Sequence, residues 1–437
     1  MKSILVSALT FCFYFCTAQQ NVLWLKKHVV PFSPDPSLSV KNDFSQLKKY
    51  IGDAQIVMLG EETHGDGTAF KSKVELVKFL HREMGFDVLA WESTFFNAEA
   101  AYQIAQTSPA PLEKLQLCTY GLWGKAEQVQ PLFHYINDAI KSERPLIVTG
   151  IDCQLEGSFL SHDFILPFFN YISSKKLEFG KVETKQEFVK YYYGLLFLGQ
   201  TLRNKKGDEK IALLDTLFKK QQVFLSFTSE LIPRLDTIKE AQAKRFSQHL
   251  KNIIAFLPAH LKNAGVNNLP NVNYGLVRDS LMAENLIWLQ KTMYPGKKII
   301  VWAASSHISR HALLSPGEAT MGDFIEKNGL NDIYSIGFTA FKGRYEWVNK
   351  RYSGNIEEAS NISLENYFEK TGYDDFFLGL KTLSKTKNGR WLNETMEMRP
   401  FGYTYLKKLS WPQVFDAIIF NKTMEPATLI SNSSKSR

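Results

Sequence analysis

Gln55-Ile-Val-Met-Leu-Gly60 runs directly into Glu61-Glu-Thr-His-Gly65, so an apolar stretch delivers two carboxylates and an imidazole at its end. An unbroken apolar run of this length fits a strand buried on both faces, as in a parallel sheet covered by helices. Phe86-Asp-Val-Leu-Ala-Trp-Glu92 and Pro145-Leu-Ile-Val-Thr-Gly-Ile-Asp152 have the same character. Between them, Phe70, Val74, Val77 and Leu80 share one helical face, and Val129, Leu132, Phe133, Ile136 and Ile140 share another. Alternation of strand and helix predicts a parallel sheet.

From about residue 156 to 294 the pattern turns helical and is rich in Phe, Leu, Lys and Gln, broken by the polar turn Asn204–Glu209. Leu281, Met282, Leu286 and Leu289 mark its last amphipathic helix. Strand character returns at Lys297–Ala303 and Asp332–Phe338, and Phe415–Phe420 is expected to close the sheet. The fold class is therefore α/β: a mostly parallel sheet flanked by helices, with a helical insertion serving as a lid. One domain is expected over residues 19–426, followed by a mobile Ser/Lys/Asn-rich tail over 427–437.

Residues 1–18 read as a secretory signal: Lys2, an apolar run from Ile4 to Phe15, and the small-residue exit Cys16-Thr-Ala18. The run is well short of the roughly 20 residues a spanning helix needs. Bulky aromatics before Cys12 and Cys16 argue against a lipid anchor, so the mature chain is expected to be secreted or periplasmic, without stable membrane insertion. Cys118 and Cys153 then remain, and one disulfide between them is an open option. With 44% hydrophobic and 13% aromatic residues the 437-residue chain can bury a large core. Its net charge of +8 comes from dispersed lysines and not from a basic block, which excludes a nucleic-acid groove.

In parallel α/β sheets the ligand crevice lies beyond the carboxyl ends of the strands. Four strands here end in polar groups: Glu61, Glu62 and His64; Glu92; Asp152; and Ser305, Ser306 and His307. Two imidazoles and several carboxylates on one edge are what acid–base hydrolysis requires. Glu61 and Glu62 are adjacent and cannot both face the cleft; one of them is expected to favour the positive end of the following helix. Arg278-Asp279 has two readings, an anion contact by Arg278 or a helix-capping pair. The chain lacks Gly-x-Ser-x-Gly, Gly-rich phosphate loops and His-Glu-x-x-His. His307 and His311 have helical spacing for a metal but no matching carboxylate.

At these residues the sequence resembles the erythromycin esterase family, whose Gly-Glu-x-Thr/Ser-His-Gly signature is matched by Gly60–Gly65. The match continues through Gly85-Phe86, Glu92, Gly150-Ile-Asp152, the Arg278-Asp279-x-x-Met282-Ala283-x-Asn285 helix and Trp302-Ala303-x-x-x-His307. The resemblance implies a metal-independent esterase without cofactor, in which His64 activates water and Glu61 supports it, while Glu92 and His307 match further cleft residues. Two positions depart from the family enzymes that act on macrolides: Ala304 stands where they usually have a histidine, and Lys73 where they usually have arginine.

The expected protein is a monomeric hydrolase of a small-molecule ester or lactone. His64, Glu61, Glu92 and His307 are its catalytic candidates; Lys73, Asp152 and Arg278 are its substrate-binding candidates. Lys73 or Arg278 would stabilise developing negative charge. Two other readings stand beside it: a metal-dependent hydrolase or peptidase using the same His/Glu cluster, and a non-catalytic binder on the same fold.

Overall fold

The computed structural model describes residues 19–35, 44–177, 182–203, 205–266, 269–311, 318–330, 332–404 and 406–431. Residues 1–18, read from the sequence as a secretory signal and including Cys12 and Cys16, lie outside the described residues, as do 432–437 and Asn204 of the polar turn.

Eleven strands are described: β1 (Val30–Pro31), β2 (Ile56–Glu61), β3 (Phe86–Thr94), β4 (Ile147–Asp152), β5 (Lys298–Ala304), β6 (Ile333–Glu346), β7 (Ser353–Ile356), β8 (Asp375–Leu378), β9 (Met396–Met398), β10 (Lys407–Leu409) and β11 (Ala417–Met424). The main sheet has the order β1-β8-β11-β6-β2-β5-β3-β4, with β7 also paired to β6. The neighbours from β11 across to β4 run parallel, as the buried apolar runs require. β11 does not close the sheet, because β8 and β1 lie beyond it in antiparallel pairing. β6 outruns its expected end at Phe338, since Thr339–Tyr345 continue the extended chain into a hairpin with β7.

Alternate residues of each strand serve two cores. Ile56, Met58, Val88 and Val301 face one layer, and Val57, Leu59, Trp91 and Trp302 the other. Helix α1 (Gly67–Met84) covers the second face with Phe70, Val74, Val77 and Leu80, joined by α2 (Gln130–Ile140) through Leu132, Phe133 and Ile136. The first face is covered by the helices between β4 and β5, which include α3 (Gly207–Asp236), α4 (Ala241–Ala264) and α5 (Tyr274–Trp288). Within this insertion Phe164, Phe168, Phe188, Tyr192 and Phe246 pack ring against ring, face to face or edge-on, in the core. No described helix is long and apolar enough to cross a membrane.

Two further expectations change. Cys118 and Cys153 are free, buried thiols. The segment expected to be mobile is held as far as Ile430: Ala427 N–H donates to Gly65 O at 2.8 Å, Glu127 N–H to Thr428 O at 2.8 Å, and Ile430 N–H to Lys125 O at 3.0 Å. Polar composition says nothing of these backbone bonds, which tie the tail to loops far away in sequence.

Register brings the strand ends level. Glu61 pairs with Ala304 and Trp91 with Trp302, so the residues that follow β2, β3 and β5 emerge side by side. β3 also shifts register against β4 between Trp91 and Thr94, the stretch that holds Glu92, and irregularities of this kind re-aim side chains at strand ends. Gly150 permits the shift, because a Cβ at that position would stand 2.3 Å from Ser93 O.

Candidate active site

The first wall of the site grows from the end of β2. Thr63 N–H and Thr63 Oγ1 each donate to the Asp66 carboxylate at 2.9 Å, folding the turn that presents His64. Burial, with some help from the Glu61 charge, pushes the Asp66 carboxyl up to about 7. Glu61 Oε1 lies 3.2 Å from His64 Nδ1 and accepts from Trp123 Nε1 at 3.0 Å. Its other oxygen is ion-paired with Lys73, whose Nζ also donates to Ala303 O at 3.0 Å and lies 4.8 Å from the Trp302 ring centre. Burial lowers the Lys73 ammonium pKa, and the Glu61 charge opposes the shift. His64 sits between the rings of Trp123 at 4.8 Å and Trp347 at 5.1 Å, with its side chain 18% exposed. Glu62 faces away, accepting from Ala340 N–H at 3.1 Å, and burial drives its carboxyl well above the usual range.

The second wall is an ion network. Arg278 Nη2 donates to Glu92 Oε1 at 2.8 Å and to Asp152 Oδ2 at 2.7 Å, and its Nε bonds Asp152 as well. Tyr120 Oη adds a 3.0 Å bond to Asp152. The other oxygen of Glu92 accepts from Ala304 N–H at 2.8 Å. His307 Nε2 lies 3.2 Å from Glu92 Oε1 and its Nδ1 2.8 Å from Asp279 Oδ1. Burial would lower the His307 pKa, but Glu92 and Asp279 outweigh it and hold the imidazole up to about 10. Burial would likewise raise the Glu92 carboxyl; His307 and Arg278 keep it well below the usual range. At neutral pH His307 is therefore a cation donating from both nitrogens. Its 3.1 Å approach to Arg278 Nη1 joins two donors and carries no hydrogen bond.

The two walls enclose a cleft of about 680 Å³, lined by His64, Glu92, Tyr120, Glu156, Arg278 and Trp347 among others. Among the seven residues singled out from the sequence, His64, Glu92 and Arg278 reach the cleft surface. Glu61 and Asp152 stand directly behind them, fully buried, and His307 touches Glu92. Lys73 and Asp152 were expected to bind substrate. Lys73 is instead enclosed against Glu61, and the Asp152 oxygens are taken by Arg278, Tyr120 and Gln154 N–H. Asp279 is no helix cap: it holds His307 and accepts from Met321 N–H at 2.9 Å. Ser305, at the end of β5, is buried and donates to Gly60 O at 2.6 Å. Among the described residues, no three His, Cys, Asp or Glu side chains are grouped so as to hold a metal ion.

Sequence reasoning missed Trp123, Tyr120, Trp347 and Gln154. A Tyr-Gly-Leu-Trp stretch outside any strand was the available signal, since a buried indole N–H needs an acceptor and Glu61 supplies it.

An α/β sheet with an acid–base cleft at its carboxyl edge has the architecture of a hydrolase, and the comparisons agree. The erythromycin esterase family model matches residues 81–424, and the chain belongs to that family. It is 25% identical to the putative hydrolase YbfO of Bacillus subtilis over 93% of this chain and 92% of that one. It is 20% identical to an erythromycin esterase type II of Escherichia coli over 90% and 96% of the two chains. The fold is shared with a Bacillus cereus protein of known crystal structure at a TM-score of 0.74 and 22% identity, covering 95% of this chain and 99% of that one.

Proposed function

We propose that the chain hydrolyses a carboxylic ester or lactone of a small molecule, with His64 as general base. One observation carries the reading: Nδ1 of His64 is held on Glu61, while Nε2, on a ring that lines the cleft, has no hydrogen-bond partner among the described residues. A carboxylate on Nδ1 fixes the tautomer in which Nε2 keeps its lone pair and can take a proton from water. Water oxygen then bonds to the acyl carbon as its proton passes to Nε2, and the carbonyl oxygen becomes an oxyanion. Collapse breaks the ester C–O bond, and the proton moves from His64 to the departing alkoxide, giving acid and alcohol. Arg278, with cationic His307 behind it, supplies positive charge on the opposite wall for the oxyanion.

The relative named as an erythromycin esterase makes a macrolide lactone a substrate to test, although Ala304 and Lys73 depart from the macrolide-active pattern. Here Ala304 contributes only its backbone N–H to Glu92. We propose that the mature chain acts outside the cytoplasm, on the strength of the signal-like residues 1–18, and that it works as a monomer.

The test incubates the mature protein with simple esters, lactones and macrolides and looks by mass spectrometry for addition of one water. His64→Ala is expected to lower kcat/KM by about 10³, within the range for losing a general base, while ligand binding persists. Turnover by His64→Ala within a few-fold of wild type would end the proposal.

A further inference from the structure

Beside the catalytic cleft lies a second cavity of about 340 Å³. The two share Gln154 and Glu156 as a common wall, and the second is otherwise built from the helical insertion. Gln154 is pinned in that wall: its Nε2 donates to Tyr274 Oη at 2.8 Å, and its Oε1 lies 3.3 Å from Tyr120 Oη. Tyr120 also holds Asp152, so the wall belongs to the same hydrogen-bonded frame as the cleft.

The lining of this cavity differs from the packed aromatic core behind it. Glu156, Gln200, Arg203 and Tyr274 bring planar or forked polar groups, and Phe197 contributes an aromatic ring that is 42% exposed. That ring is steadied by stacking on Tyr193 with centroids 6.1 Å apart. An exposed large aromatic among amides, a carboxylate and a guanidinium is an unusual surface. It complements a molecule that presents C–H groups on one face and closely spaced hydroxyls at its edge, because a ring face takes the first and bidentate polar groups take the second. Gly199 leaves the space open: a Cβ there would meet no atom within 4 Å.

We propose that this cavity is a subsite for a saccharide, and, resting on the hydrolase reading, that the saccharide is the part of the substrate remote from the reacting ester. Binding energy gained there holds the ester against His64 and is used in the chemical step. The substrate class becomes an acylated sugar or sugar-bearing ester whose length spans both cavities.

Gly199→Trp fills the subsite from an open position, and Phe197→Ala removes its ring; neither touches the acid–base groups. Wild type and both variants are probed on an array of neutral and acidic oligosaccharides and, separately, assayed on p-nitrophenyl acetate. The expected result is saccharide binding by wild type, weakened about tenfold or more in both variants, with aryl ester turnover unchanged within about twofold. Absence of saccharide binding by wild type, or undiminished binding by Gly199→Trp, overturns the subsite even if the aryl ester is cleaved. Binding that is lost in the variants, with no ester cleaved by any form, sustains the subsite and removes the hydrolase reading.

Discussion

β2 and β3 each end beside a glutamate paired with an imidazole, and the two pairs face one cleft with opposite wiring. Glu61 divides its charge among Lys73, Trp123 and His64, so the imidazole on that wall is held by one nitrogen only. His307 stands between two carboxylates, Glu92 and Asp279, and is kept cationic on both nitrogens. The same residue types thus become an imidazole held at Nδ1 alone on one wall and a fixed positive charge on the other. What decides is how many carboxylates touch the ring and how much of their charge is already answered. The backbone of β5 ties the walls together, because Ala303 O accepts from Lys73 and Ala304 N–H donates to Glu92.

The His64→Ala loss of about 10³ in kcat/KM is the largest expected effect and tests the first wall. The second breaks most completely at Arg278. Arg278→Ala strands the buried charge of Asp152 and leaves Glu92 to His307 and Ala304 N–H, a loss expected to cost about 3–5 kcal/mol of stability in chemical denaturation. A cost below about 1 kcal/mol would mean the wall does not depend on the guanidinium, and the contrast between the walls would lose its basis.

A pH series sharpens the contrast further. The folded pKa of His307 is raised from 6.5 to about 10, so its stabilising contribution is complete below about 6.5 and disappears as pH climbs through 10. Wild type should therefore lose on the order of a few kcal/mol across that window from this group. In His307→Gln the slope should flatten. An unchanged slope in that variant would place the alkaline loss elsewhere.

How far each wall could be read from the chain follows from how local its parts are. β2, its glutamate and His64 occupy one short segment, and apolar continuity followed by Glu-Glu-Thr-His declares strand, turn and cleft imidazole together. β3, β4, β5 and the first part of β6, as far as Phe338, were equally plain, because strands buried on both faces are apolar without alternation. The partners were not. Arg278-Asp279 reads from the chain as the start of a helix, where a cap is the local expectation, but α5 begins at Tyr274 with Asn273 as its cap, and only the return of β5 sets His307 beside Asp279. Lys73 reads as a cleft cation until α1 is packed on the sheet, where its ammonium turns inward under Trp302. β8 is only four residues long, too short to announce itself, yet it displaces β11 from the edge.

Trp123 offers the finest test of the first wall, since it is the partner of Glu61 that can be altered without removing a charge. Trp123→Phe keeps a ring edge against His64 and deletes the N–H that donates to Glu61 at 3.0 Å. A hydrogen bond to a charged group contributes about 1.5–3 kcal/mol, so kcat/KM is expected to fall about ten- to a hundredfold. Because the lost bond steadies Glu61 and not the ligand, the fall should appear in kcat with KM nearly unchanged. A rise in KM at constant kcat would instead make Trp123 a surface that substrate touches, and the placing of Glu61 would then rest on its ion pair with Lys73 and not on the indole.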